Sequence, residues 1–301
     1  MMKIALAQVN YQVGDFSSNS EKIIDAIGKA KESGADLIVF AELSVCGYPP
    51  RDFLEFSDFI ERSRKAVGEI ASACQGIAAI VGVPVPNPLP KGKPLFNAAL
   101  LLENGEIAAS AHKTLLPNYD VFDEYRYFEP NPERCEIIHF HGVRIALTIC
   151  EDLWNIAGDP LYMRNPMDEM SDRMPQLMIN IAASPYNYEQ PEIRKKILAL
   201  NTSRYDIPLV YVNQVGAQTE LIFDGHSMVV EADGTIPVEL PMFEEGLAFW
   251  EFHPGKKVKP RKQETIHPEN ISITPEAAGD PIDVAHIGSI NDAIVMCIKA
   301  Y

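Results

Sequence analysis

Three apolar runs of the sequence close on groups that could carry out acyl transfer: Glu42 in "VFAEL", Lys113 in "SAHKTLLP" and Cys150 in "LTICEDLW". A cysteine attacks carbonyl carbon as its thiolate, and both burial and neighbouring acids such as Glu151 and Asp152 oppose that ionisation. Cys150 is therefore reactive only if another group takes its proton. A carboxylate such as Glu42 can do so as general base, while the Lys113 ammonium offsets the negative charge and later stabilises an oxyanion. Taken singly, each residue has a plainer reading: a solvated carboxylate closing a strand, an exposed lysine opening a loop, a core cysteine. Together they meet the chemical requirement without a histidine.

A cysteine–histidine pair is the commoner arrangement, and His112, His139, His141 and His226 are candidates for it, but spacing selects none of them. His139 and His141 alternate along a predicted strand and could imitate a metal pair. No third ligand is in view, so no metal is expected. No glycine-rich phosphate loop occurs in the sequence.

These residues need elements to hold them. "KIALAQVN" (3–10) and "DLIVFAEL" (36–43) read as buried strands, with a helix between them in which Ser18 and Glu21 have capping-box spacing and Ile23, Ile24 and Ile27 share a face. A second helix is predicted over about 56–74, followed by a buried strand at 77–85. Asn104-Gly105 then forms the turn of a hairpin. The long irregular segment from Lys113 to Cys135 has the length of a functional loop. Beyond it come two strands turning near Gly142, a strand at 176–184, a helix opened by Pro191 and a strand at 208–216. Antiparallel strands follow, with a turn at Asp233-Gly234. Residues 253–281 shift to basic, then Pro- and Glu-rich composition and read as a linker or arm. The last residues suggest an amphipathic helix through Ile287, Ile290, Ile294 and Met296.

The 301 residues are 47% hydrophobic, as expected of a globular chain with a sizeable core. A formal charge of −16 opposes binding to nucleic acid or an anionic membrane surface, which leaves small molecules and other proteins as the expected partners. Neither a signal peptide nor a membrane span is predicted. Five cysteines without zinc-site spacing fit reduced thiols, so the expected compartment is the cytoplasm.

"VFAELSVCGYPPRDFL", "HKTLLPNYDVFDEYRYFEP" and "LTICEDLW" resemble the three signature blocks of the carbon–nitrogen hydrolase (nitrilase) superfamily. More narrowly, "GYPPRD", "LPNYDVFDEYRYF" and "CEDLW" resemble the glutaminase domain of the glutamine-dependent NAD synthetase family. The resemblance covers nearly the first 255 residues and implies an α/β fold, the nitrilase-like four-layer α-β-β-α sandwich. It implies Glu42 as general base, Lys113 as oxyanion-stabilising cation, Cys150 as nucleophile and Glu124 as the second glutamate that positions the lysine. Tyr119 and Ser184 match positions that contact glutamine, and the backbone N–H of Glu151 is the expected second oxyanion donor. After "AASP" the family's basic substrate-contacting position has no clear match in "YNYEQPEIR", so no residue is assigned to the substrate α-carboxylate.

The implied organisation is a hydrolase domain over 1–255, a linker or arm over 256–281, and the start of a synthetase domain over 282–301. No cofactor is implied for the hydrolase domain, and ATP and Mg only for a synthetase domain lying outside these residues. Glutamine is the implied substrate, a synthetase domain in cis or in trans the implied partner, and a homo-oligomer the implied assembly. Alternation along an extended "CED" segment places the Glu151 side chain away from Cys150. Two other readings stay open: a free-standing ω-amidase or carbamoyl hydrolase with the same three residues, and a catalytically silent docking module. A thiol-redox protein is disfavoured, because no second cysteine lies near Cys150 in sequence.

Overall fold

Along the strand Met2–Gln8 (β1), Met2, Ile4 and Leu6 belong to one apolar cluster and Ala5 and Ala7 to another, and all five are buried. Both faces of such a strand require a cover. The computed structural model, which describes residues 1–156, 160–255 and 286–300, supplies helices on one face and a second sheet on the other.

The first half of the chain runs β1, α1 (Phe16–Glu32), β2 (Leu37–Val39), α2 (Ser57–Ala73), β3 (Ala78–Pro86), β4 (Leu95–Glu103) and β5 (Glu106–His112). The second half runs β6 (Ile138–Phe140), β7 (Val143–Ile149), α3 (Pro166–Ser171), β8 (Leu177–Ala182), α4 (Gln190–Tyr205) and β9 (Leu209–Asn213). A hairpin of β10 (Val215–Gln218) and β11 (Leu221–Asp224) precedes β12 (Met228–Val230), β13 (Val238–Glu239), β14 (Gly246–Phe252) and α5 (Ile287–Ala300). One six-stranded sheet has the order β14-β1-β2-β3-β4-β5 and the other β13-β12-β9-β8-β7-β6. In each sheet three central strands are parallel and the flanking pairs antiparallel.

Ile4, Leu6, Leu37, Val39 and Ile80 of the first sheet face Leu147, Ile149 and Ile179 of the second, while their neighbours along the strands (Ala5, Ile38, Ala79, Val81) meet Ile23 and Ile27 of α1 and Val67 and Ile70 of α2. Met167 and Met170 of α3 and Leu198 of α4 complete the outer layer over the second sheet. The result is the expected four-layer α-β-β-α sandwich.

Several expected boundaries move. Helix α1 begins at Phe16 rather than after Ser18, because the Asp15 carboxylate accepts the N–H of Ser18 at 3.1 Å and serves as its cap. Strand β2 ends at Val39, so Glu42 stands in a turn beyond the strand. On α5 the inward positions are Ile290, Ala293 and Met296, whereas Ile287 and Ile294, expected on that face, are 56% and 53% exposed. A helix presents residues three and four apart, and 290, 293 and 296/297 form that row against β10 and β11. The expected linker, 256–281, and the first residues of the expected third segment lie outside the described residues.

The turn carrying Glu42 rests directly on β3 at Gly82, where a Cβ would stand 2.2 Å from the Leu43 nitrogen and 2.7 Å from the Glu42 carbonyl carbon. Both are backbone atoms and neither can swing aside. Gly82→Ala is expected to cost about 1–3 kcal/mol and lower the melting temperature by several degrees. Gly68→Ala, on an exposed face of α2 with no atom within 4 Å of the added carbon, should leave it unchanged or slightly raised. Thermal denaturation of the two variants checks the contrast.

Candidate active site

The Lys113 side chain is wholly buried, so each of its three N–H donors requires an acceptor. They meet Glu42 Oε1 at 2.7 Å and both Glu124 oxygens at 2.8 Å. Burial opposes the charged ammonium, but Glu124 and Glu42 together outweigh it and hold the group well above its usual range. Glu42 is held in turn by Asn97 Nδ2 at 2.7 Å and by the N–H of Ala183 at 3.0 Å. The hydroxyl of Tyr48 donates to Glu124 Oε1 at 2.9 Å. Two carboxylates facing one ammonium leave an excess negative charge. Burial, aided by Glu42 and opposed by Lys113, pushes Glu124 up to about 7.

Strand β7 ends at Ile149 and Cys150 opens a short 3-10 turn with φ of +43°, a left-handed conformation that costs energy in a side-chain-bearing residue. Asp152 fixes the turn: Oδ2 accepts the N–H of Ile149 at 3.0 Å, and Oδ1 accepts those of Thr114 and Leu115 at 3.0 and 2.9 Å. One carboxylate thereby ties the cysteine turn to the residues immediately after Lys113. Asn180 Nδ2 donates to the Cys150 carbonyl at 3.3 Å. Burial first, then the charge of Glu42, push the Cys150 thiol well above its ordinary value, with Lys113 pulling the other way. The resting group is a neutral thiol, as a general-base mechanism requires.

A cleft of about 230 Å³ opens over Cys150, and Glu151, Tyr119, Trp154, Ser184 and Tyr186 share its wall. The expected outward orientation of Glu151 is therefore corrected. A 3-10 turn has no two-residue alternation, and the Glu151 carboxylate faces the cleft, where Tyr119 donates at 2.9 and 3.0 Å and Tyr162 at 3.0 Å. Burial pushes Glu151 up while Lys113 and the two hydroxyls oppose it. Ser184 donates its N–H to Asn213 Oδ1 at 2.9 Å, and behind it Arg194, fully buried, is paired with Asp224 at 2.8 and 3.0 Å.

Glu42, Lys113 and Glu124 thus converge, Cys150, Glu151, Tyr119 and Ser184 line one cleft, and none of the four candidate histidines lines it. His112 stacks on Phe96 at 4.4 Å and His141 meets Glu103 at 3.0 Å. Asn97, Tyr48 and Tyr162 escaped the sequence reading. A lone asparagine inside "LFNAALLLE" was a usable signal for Asn97; Tyr48 and Tyr162 lie in irregular segments with none.

The carbon-nitrogen hydrolase family profile matches residues 3–255. The glutamine-dependent NAD(+) synthetase of Synechocystis is 40% identical over 255 residues, which cover 82% of this chain and 46% of that protein. The Thermotoga maritima enzyme of the same name is 36% identical over 81% of this chain and 41% of its own length. The chain therefore spans under half the length of these curated relatives. Among solved structures, the glutamine-dependent NAD+ synthetase of Acinetobacter baumannii superposes with a TM-score of 0.82 at 30% identity over 100% of this chain and 52% of that one. An amidase from Nesterenkonia sp. gives 0.71 at 27% identity over 87% and 93%.

The raised carboxyl of Glu124 has a signed consequence. A folded-state value above the unfolded one means that its contribution to stability is complete below the unfolded value and is lost as the pH rises through about 7. From pH 7 down to pH 5, the wild-type chain should gain stability relative to Glu124→Gln, by at most about 1.4 kcal/mol per pH unit. Paired denaturation curves of the two proteins at each pH measure this; parallel pH dependences would contradict it.

Proposed function

The chain belongs to the carbon–nitrogen hydrolase family, and we propose that it hydrolyses the side-chain amide of glutamine through a thioester on Cys150. The observation that carries this reading is the single buried ammonium of Lys113, shared between Glu42 and Glu124 beside a neutral thiol that opens on a cleft. Lys113 and both carboxylates are fixed before substrate arrives, so little reorganisation accompanies the reaction.

In the proposed sequence Glu42 takes the Cys150 proton as sulfur attacks the amide carbon. As Glu42 takes the proton, its hold on Lys113 weakens and frees one ammonium donor for the oxyanion, which the backbone N–H of Glu151 also holds; each well-placed donor contributes about 3–4 kcal/mol. Glu42 returns the proton to nitrogen, ammonia departs and the thioester remains. Water deprotonated by Glu42 then attacks the thioester and glutamate leaves with Cys150 regenerated. Glu124 acts through Lys113, keeping it protonated and in place. The Glu151 side chain, oriented by Tyr119 and Tyr162, holds the substrate ammonium.

Relatives that share this domain are named for NAD synthesis from glutamine. That likeness supports a longer assembly in which the ammonia passes to an ATP-dependent synthetase domain, in cis or in trans, with residues 1–255 as the hydrolase. A homo-oligomer in the cytoplasm completes the proposal. Among the described residues no helix is long and apolar enough to cross a membrane.

Purified chain supplied with glutamine should release glutamate and ammonia in equal amounts, and Cys150→Ala should abolish this without lowering the melting temperature by more than a few degrees. A glutamine-analogue electrophile should label Cys150 stoichiometrically, which a silent docking module would not show. Folded protein that neither turns over glutamine nor takes the label would sink the reading.

A further inference from the structure

The cations near the cleft over Cys150 are each paired with a carboxylate, and of the buried pair behind it only Arg194 reaches the wall, at Ser184 Oγ, 3.4 Å away. Lys113 gives its donors to Glu42 and Glu124, Arg194 lies buried behind Ser184 and grips Asp224, and Arg51 is paired with Glu220 at the rim. Among the described residues no lysine or arginine lines the cleft itself. Its charged wall is carboxylate: Glu151 on a buried surface, Asp120 and Glu220 where it meets solvent. The remaining polar groups near its mouth, Asn187 and Gln190, are neutral amides, and Asn187 Oδ1 already accepts the N–H groups of Glu189 and Gln190 at 2.8 and 3.0 Å.

A partly dehydrated ion in such a cleft is stabilised most by an opposite charge. An ammonium finds one in Glu151. A carboxylate finds only neutral amide donors and meets the charge of Glu151 and Asp120, so its lowest-energy place is outward, where water and salt screen the rim. In glutamine both ions sit on one carbon, and drawing the ammonium inward turns the carboxylate toward solvent.

We propose that this site recognises an ω-amide together with an amine at glutamine spacing and makes no demand on the carboxylate, so that cationic amides lacking the acid are also substrates. The inference rests on the glutaminase reading and narrows it to a substrate class. It also sets this chain apart from a hydrolase of keto-acid amides, whose substrates carry a carboxylate and no amine.

Two truncated substrates separate the groups: 4-aminobutanamide lacks the carboxylate of glutamine, and glutaramate lacks its amine. On the purified chain, kcat/KM for 4-aminobutanamide should lie within about tenfold of that for glutamine, and for glutaramate at least about a hundredfold below it. Glu151→Gln should narrow the gap between the two truncated substrates by about tenfold or more, with iodoacetamide labelling of Cys150 retained as the sign of an intact site. If 4-aminobutanamide falls as far as glutaramate, or glutaramate is the better of the two, the carboxylate is bound and this inference is overturned while glutaminase activity stands. If glutamine itself is not turned over, the glutaminase reading fails and takes the inference with it.

Discussion

One fully buried ammonium organises this molecule. Removing a lysine from water costs several kcal/mol, and the cost is offset only when every donor is met and opposite charge lies close. At Lys113 three donors meet three carboxylate oxygens, and the acceptors come from remote parts of the chain: the turn after β2 and the loop after β5. Such a cluster is satisfied in one arrangement only. Its net negative charge adds to burial, the larger cause, in raising the Cys150 thiol.

The same bonds register the two sheets. Glu42 belongs to the first sheet's end and accepts the N–H of Ala183, which follows β8 of the second; Asp152 follows β7 and accepts the N–H groups of Thr114 and Leu115, which follow β5. Apolar contact between sheets is tolerant of sliding, because one methyl group substitutes for another. Directional bonds to buried carboxylates are not. Catalytic geometry and sandwich alignment therefore rest on one set of contacts, and Gly82 lets the Glu42 turn come close enough to make them.

Much of this was legible in the sequence, and the reasons differ by element. Alternation in β1 and the 3.6-residue period of α2 reveal buried faces, so the layers could be read directly. Glu42, Lys113 and Cys150 were legible because each ends an apolar run on a group whose burial demands explanation. The failures share a cause as well. Ser18 and Glu21 mimic the cap that Asp15 provides, and the largest residues of α5 suggest a face other than the one on which the small Ala293 is buried. Glu151 was misplaced because strand alternation was carried one residue too far, across a left-handed turn that no propensity of cysteine or glutamate announces. Tyr162 and Arg194 act through tertiary contacts that leave no local pattern.

The protonated state of Cys150 bears on the chemical lifetime of the protein. Peroxides and disulfides consume thiolate, and susceptibility follows thiolate character and exposure. A thiol that is 5% exposed and held above its ordinary ionisation range presents little of either. In the proposed reaction, delaying ionisation to the moment of attack would also protect the thiol, since a buried neutral sulfur reacts slowly with the oxidants that convert thiolate to sulfenic acid.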